Sequence, residues 1–349
     1  MKEVLIMNKF MRMMTAASLV LAMSLSLTAC SGNSSSDTAA DTAADTAAAA
    51  EETSDSAEAI SITIAYQGGI GYAPVHVMEV QHLIEDNYDG EITVEYQKLD
   101  AGAAINEGII GGTIDIGCMG LAPAISGVAA GIPYKVVSNL CSQSHGLMTN
   151  DPDINSLEDI SETDQIALVS TGSIQHLLLA MAAEEYLGDA HALDNNIQSM
   201  SHAEGMAALE SGTVQLHLTS SPFIYQEREN EAYHELSEIS SVWPSGNSFL
   251  VAMASEEVYE NEALYQAICD SFDQAIAFIN ENQEEAAAIE VDYLGLDEDT
   301  VLSYLNNEDC QFFSSLRGAD TMADFMYRAG FIEKEVSMDD FKYDNVTVE

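Results

Sequence analysis

Gly112-Thr113-Ile114-Asp115-Ile116, running on as Gly117-Cys118-Met119-Gly120-Leu121-Ala122-Pro123, is echoed one hundred residues later. The second copy is Gly212-Thr213-Val214-Gln215-Leu216, running on as His217-Leu218-Thr219-Ser220-Ser221-Pro222. An Ala-rich helical stretch precedes each, Ala103 to Ile110 and Gly205 to Glu210. Each copy reads as a helix, a Gly stop, a buried strand, a loop of small residues and a Pro near the start of another helix. One repetition at domain-scale spacing predicts two similar α/β lobes, since solenoids need shorter periods and more copies.

Working outward, the folded part opens at Ile60, and Ser61 to Tyr66 alternates and is rich in β-formers, so it is expected to be a strand; Gln67 to Pro74 follows, then a helix from Val75 to Glu85. Glu91 to Tyr96 and Tyr134 to Ser138 read as further strands. In the second lobe Gln165 to Ser170 is a strand, Thr171-Gly172-Ser173 a turn and helix cap, Ile174 to Tyr186 a helix and Asn196 to Met200 a short strand. Phe249 to Ala254 reads as a buried strand, and the remainder is helical over Glu262 to Asn280, Glu284 to Tyr293 and Asp320 to Ala329. Alternating strands and helices predict mostly parallel sheets covered on both faces. Polar passages at Cys141 to Gly146 and Ser240 to Ser248 predict two crossings, hence a two-strand hinge. The expected organisation is lobe 1 over 59–143, lobe 2 over 144–245, and a return to lobe 1 over 246–349.

The first thirty residues have the pattern of an export signal. Lys2, Lys9 and Arg12 make a basic start, Met7 offers a cleaner beginning than Met1, and Thr15 to Leu27 is apolar but short for a bilayer-spanning helix. Leu27-Thr28-Ala29-Cys30 resembles a bacterial lipobox, which implies cleavage after residue 29 and lipid on Cys30. Residues 30–58 are low in complexity, with DTAA three times in tandem and no aromatic or branched aliphatic side chain; they read as an acidic tether.

Charge narrows the function. The chain of 349 residues has 10 Lys and Arg against 58 Asp and Glu. Nucleic acid is excluded as a natural partner, because its binding rests on neutralising phosphates. Removing residues 1–29 takes away three basic residues and one acidic one, leaving 7 against 57 and a net charge of −50.

The stretches GYAPVHVMEVQHLIE, GGTIDIGCMGLAPAISGVAAGIPYKVV and STGSIQH with HAEGMAALESGTV together resemble the nitrate/sulfonate/taurine-type substrate-binding proteins of ABC importers. Relatives of that family bind thiamine pyrimidine precursors or make them. The resemblance covers residues 60–255. It implies a type II periplasmic-binding-protein fold, a small organic solute held between two lobes, delivery to an ABC permease and its ATPase, a monomer at the extracytoplasmic membrane face, and neither cofactor nor catalysis. An enzyme on the same fold and an extracytoplasmic sensor or adhesin are the competing readings.

In open α/β sheets ligands sit beyond the carboxyl ends of strands. Four such ends follow from the spacing: Gln67 to Tyr72, Met119 to Ala122, Thr171 to Gln175, and Thr219 to Ser221. Candidate ligand contacts are the side chain of Gln67, the rings of Tyr72 and Trp243, the hydroxyl of Ser220, and the backbone amides of Met119, Gly120, Thr171, Gly172 and Ser173 at helix starts. None of the seven remaining basic residues lies at these ends, so an anion would be held by backbone amides and hydroxyls; a neutral or zwitterionic ligand is the alternative. His176 and His202 lie near strand ends and read as structural. The absence of HxH or HExxH spacing argues against a metal cargo. Gly68-Gly69-Ile70-Gly71 lacks the Lys-Ser/Thr of a phosphate loop and reads as a permissive turn. Cys118 and Cys141 follow neighbouring strands and so are candidates to meet, with free thiols the alternative.

Overall fold

The computed structural model describes residues 60–349; the export signal, Cys30 and the acidic tether lie outside the described residues. Lobe 1 opens with β1 (Ile60–Tyr66), α1 (Ala73–Gln81), α2 (Leu83–Asn87), β2 (Ile92–Lys98), α3 (Gly102–Ile110), β3 (Ile116–Gly120), α4 (Leu121–Ala130) and β4 (Tyr134–Ser142). Lobe 2 follows as β5 (His145–Thr149), β6 (Ile166–Leu168), α5 (Ile174–Leu187), β7 (Ile197–Ser199), α6 (His202–Glu210), β8 (Leu216–Ser220), α7 (Phe223–Arg228), β9 (His234–Leu236) and α8 (Glu238–Val242). The chain returns through β10 (Leu250–Ser255), α9 (Glu256–Glu260), α10 (Glu262–Glu281), α11 (Gln283–Leu294), α12 (Glu298–Leu305), β11 (Gln311–Phe312), α13 (Ala319–Arg328) and α14 (Met338–Phe341).

The two sheets run β2-β1-β3-β10-β4-β11 and β7-β6-β8-β5-β9. Within each, the strands separated by helices are parallel, as right-handed crossovers require. Each sheet also takes in one strand that arrives straight from the other lobe. β10 runs antiparallel between β3 and β4, and β5 runs antiparallel between β8 and β9. These two exchanged strands make the lobes interdependent. They also correct one sequence expectation: β10 separates β3 from β4, so Cys118 and Cys141 are not on adjacent strands, and Cys118, Cys141, Cys269 and Cys310 are all free.

The repeated unit does the same work twice. Gly112 and Gly212 adopt positive φ (66° and 71°) and stop their helices. One residue before each strand, a side-chain acceptor holds the neighbouring strand in register: Asp115 Oδ2 accepts from Thr63 N at 2.7 Å, and Gln215 Oε1 accepts from Gln165 N at 2.9 Å. The strands begin at residues 116 and 216, later than their sequence pattern suggests, because the Gly-Thr pair is spent on the turn. One pair of positions is exchanged between the copies. In lobe 1, Ile105 of α3 faces Gly117, where a Cβ would stand 2.5 Å from its side chain; in lobe 2, Gly205 of α6 faces His217, and a Cβ there would stand 2.5 Å from the ring. Moving the bulk from helix to strand makes room for a buried imidazole.

The helix expected from 75 to 85 is broken at His82, which takes a left-handed conformation (φ 53°) between α1 and α2. Strands β5 and β9 were not legible from the pattern, being five and three residues long.

Candidate functional site

The carboxyl ends of β1, β3, β6 and β8 converge where the chain crosses between lobes. After β1 the segment Gly68–Gly71 packs tightly. Gly69 has φ 131°, and a Cβ at Gly71 would stand 2.7 Å from Leu250 Cδ1 and 3.1 Å from Gln143 Nε2, so both positions need glycine. The segment is therefore a close-packed bridge rather than a loose turn. It touches both crossings on one side and, through Gly69 against Ser221 O, the end of β8 on the other. Lys98, at the end of β2, brings Nζ to 3.2 Å from the place of a Gly68 Cβ. This corrects the expectation that no cation adjoins the strand ends: thirty residues of sequence hide the proximity. Lys98 is exposed and forms no ion pair among the described residues.

In lobe 2 a chain of polar groups, buried except for the half-buried His202, leads to Ser220. Glu227 Oε1 lies 2.6 Å from His217 Nδ1, His217 Nε2 lies 3.3 Å from His202 Nδ1, and His202 Nε2 lies 3.2 Å from Ser220 Oγ. Burial holds the His217 imidazole down to about 3 and pushes the Glu227 carboxyl up to about 8. Burial, aided by His217, holds His202 down to about 3. The pair Glu227–His217 thus carries one proton on the carboxyl and no net charge at neutral pH. Glu227 then donates to His217, His217 to His202, and His202 to Ser220, which leaves the Ser220 hydroxyl proton free to point elsewhere.

Beside this chain lie polar atoms with no partner. His145 opens β5 opposite Ser220, packs edge-on against Phe249 at 4.4 Å and is 5% exposed; its ring lies near enough to the Gln143 backbone to oppose, in part, the downward push of burial, yet neither ring nitrogen has a hydrogen bond of ordinary geometry. Burial, with a smaller push from His202, holds it down to about 3. Gln143 Oε1, Ser221 Oγ and Tyr225 Oη are likewise buried and unpaired. Ser221 lies near enough to the Tyr225 hydroxyl to oppose, in part, the upward push of burial on it, yet neither oxygen has a hydrogen bond of ordinary geometry. The Gln143 amide reaches only the Cys310 sulfur, at 3.9 Å. Buried polar groups are normally satisfied, and these four side chains around one crossing are exceptions.

The residues singled out from sequence fall as follows. Gln67 is half-buried; its Oε1 accepts from Tyr72 Oη at 3.0 Å, and its Nε2 approaches Asp100 O at 3.4 Å. Tyr72 is buried. Met119 and Gly120 are buried and paired with Val251 and Leu250 of β10. Thr171 and Gly172 are exposed, and the Gly172 amide donates to His176 Nδ1 at 2.9 Å. The Ser173 amide donates to Ser170 O, while its hydroxyl caps α5. Ser220 is buried at the end of the imidazole chain. Trp243 is buried with Nε1 unpaired, packed against Gly318. Backbone amides of Gly172 and Ser173 are thus engaged within the protein, and of the unpaired polar side chains only Trp243 is among the candidates named from sequence. In sequence His145 is one residue of the polar passage Cys141 to Gly146. Its one signal was position, a His directly after a crossing and before the apolar pair Leu147-Met148.

Elsewhere, a hollow of about 350 Å³ at the opposite end of β4 is lined by Ile132, Tyr134, Lys135, Lys334 and Asp340, and Lys135 Nζ there already donates to Asp339 O at 2.6 Å. No group of three or more His, Cys, Asp or Glu among the described residues is arranged to hold a metal ion. No helix among them is long and apolar enough to cross a membrane.

Comparison with known proteins places this geometry. A model of the family described as NMT1-like matches residues 55–291. A protein of Bacillus subtilis (strain 168) whose name assigns it to aliphatic sulfonate binding is 24% identical over 279 residues, covering 77% of this chain and 82% of its own. The periplasmic aliphatic sulphonate binding protein SsuA from Escherichia coli superposes with a TM-score of 0.63 at 20% identity, covering 83% of this chain and 94% of that one. The alkanesulfonate-binding SsuA from Xanthomonas axonopodis pv. citri, bound to MOPS, gives 0.65 at 18% identity over 79% and 95%. The periplasmic nitrate-binding protein NrtA from Synechocystis PCC 6803 gives 0.63 at 11% identity over 81% and 84%.

Proposed function

The chain belongs to the NMT1-like family, and on that premise we propose that it is the extracytoplasmic solute-binding component of an ABC importer. It captures a small organic solute of the sulfonate, taurine or nitrate kind between its lobes and hands it to the permease. The observation that carries this reading is the set of buried, unpaired side chains at the crossings, Gln143, His145, Ser221 and Tyr225, drawn from both sides of the interlobe boundary. Unsatisfied polar groups where the chain crosses between lobes are what a solute would complete. Lys98 beside Gly68 supplies a cation at these strand ends for an acidic head group. The names of the sulfonate- and nitrate-binding relatives support that choice.

The protein binds and releases without turnover. The lobes correspond to 59–143 with 246–349 and to 144–245, with the exchanged strands β5 and β10 between them. Gln67, Tyr72, Ser220 and Trp243 stay candidates for the ligand shell. Cys30 carries lipid, so the folded part hangs from the membrane on its acidic tether. Metabolic labelling with a fatty-acid analogue tests this, and Cys30→Ser abolishes the label and releases the protein from the membrane.

The deciding experiment is a thermal-shift screen of sulfonates, taurine, nitrate, pyrimidines and amino-acid-like anions. A true ligand at a hundredfold its Kd adds about 2.7 kcal/mol to stability. No shift with any solute at millimolar concentration refutes the reading.

A further inference from the structure

We infer that the inner wall formed by Gln143, His145, Ser221 and Tyr225 recognises an uncharged group that donates and accepts hydrogen bonds at once, such as a carboxamide or a ring lactam. The inference rests on the proposed solute-binding role and deepens it.

The four side chains are 3%, 5%, 4% and 6% exposed, and each has at least one polar atom without a partner. They form one neighbourhood. Gln143 packs against Gly71, and Gly69 of the same short segment packs against Ser221. Ser221 adjoins Tyr225, and His145 pairs across the sheet with Ser220, the residue before Ser221. A neutral imidazole has one N–H and one lone pair, so His145 offers a donor and an acceptor from one ring. The Gln143 Oε1 accepts only, while the two hydroxyls can do either. A solute group with acceptors alone would leave the Gln143 oxygen and one imidazole nitrogen unpaired, and buried unpaired groups are costly.

Charge points the same way. The four side chains carry no formal charge, His145 being held neutral by burial, and the charges nearest them, Asp309 and Arg228 beside Tyr225, act on it in opposite senses. The nearest guanidinium, Arg228, is already forked onto Glu235 at 2.7 and 2.9 Å. An anionic group driven into this wall would lose water and find Arg228 already paired, whereas Lys98 stands exposed beside Gly68. The expected ligand therefore has its acid, if any, near Lys98 and an uncharged donor–acceptor group inside.

Three probes separate the possibilities: pentanesulfonate, N-acetyltaurine of similar length with an internal amide, and neutral nicotinamide. Titration calorimetry on the full folded chain is expected to give N-acetyltaurine at least about tenfold tighter binding than pentanesulfonate, the worth of one satisfied buried pair. In His145→Leu that preference collapses to less than about threefold, while His145→Gln, which keeps a donor and an acceptor, retains most of it. Ser221→Ala gives an intermediate loss and guards against a misfolded His145 variant, with melting curves run on each. Equal binding of the two sulfonates by the native protein overturns the inference and leaves solute binding standing. So does a preference that survives in His145→Leu. Binding of nicotinamide alone, abolished in His145→Leu, supports the wall and removes the sulfonate head from the proposed function. No binding of any probe, together with an empty solute screen, overturns both.

Discussion

His145→Gln tests the uncharged wall through proton linkage, with no ligand present. In the native protein His145 is held down to about 3; in the unfolded chain a histidine titrates near pH ~6.5. The folded value is the lower, so the unfolded chain takes up the proton first as the pH falls. The stability this group contributes is complete above about 6.5 and is lost progressively toward 3. Each pH unit inside the window costs about 1.4 kcal/mol, so going from about pH 6.5 to about pH 5 costs roughly 2 kcal/mol. His202, also near 3, contributes in the same sense and remains in the variant. His217 is opposed by Glu227: as the pH falls the imidazole disfavours folding while the raised carboxyl favours it, so the pair nearly cancels between roughly pH 4.5 and 6.5. Surface carboxylates are common to both proteins and drop out of the difference. Urea denaturation at a series of pH values should show the stability gap between native protein and His145→Gln closing by about 2 kcal/mol over that interval. Parallel curves refute the reasoning, as does a native His145 ring resonance that titrates near 6.5.

Other outcomes follow from the same structure. Gly205→Ala puts a Cβ 2.5 Å from the His217 ring. It should cost about 1–3 kcal/mol in urea unfolding and disturb the His202 and His217 ring resonances together. Glu290→Ala strips the buried His76 of its partner at 2.8 Å, and a loss of about 3–5 kcal/mol is expected; a change under about 1 kcal/mol would show that the pair is not buried as described. Arg328→Ala breaks the Glu184 contact, but both groups are well exposed, so unfolding should move by less than about 1 kcal/mol. His191, joined to Asp194 at 2.8 Å and to Ala329 O at 3.0 Å, is raised mainly by the Asp194 hydrogen bond. Its contribution is present in full below about pH 6.5 and fades as the pH climbs through the raised value, so His191→Gln should matter less at pH 9 than at pH 6 in thermal melts.

Much of the fold was legible because its signals are local. The Gly112 and Gly212 stops, the Ser173 cap, the alternation of Ile60 to Tyr66 and the amphipathic run of α10 each depend on residues within a few positions of one another. The site was less legible. Strand ends were found, but the amides expected to be free at Gly172 and Ser173 are taken by His176 and Ser170, an outcome that depends on the exact path of one turn. Lys98 reaches Gly68 only because β2 lies parallel beside β1, bringing residues thirty apart into contact at the shared carboxyl end.

The hundred-residue echo of Gly-Thr-Ile/Val by itself determined that there are two lobes of one plan, since a helix, a stop and a strand are written in short-range pattern. It also carried, at one pair of positions, the exchange of Ile105 and Gly117 for Gly205 and His217. What that exchange means was decided only in three dimensions. A histidine reads alike in any sequence, and whether it is solvated, paired or left unpaired depends on which distant strands enclose it. The exchange of β5 and β10 between the sheets seals His145 beside Ser220 and Ser221, and folding thereby turned an undistinguished polar crossing into the most incompletely satisfied place in lobe 2.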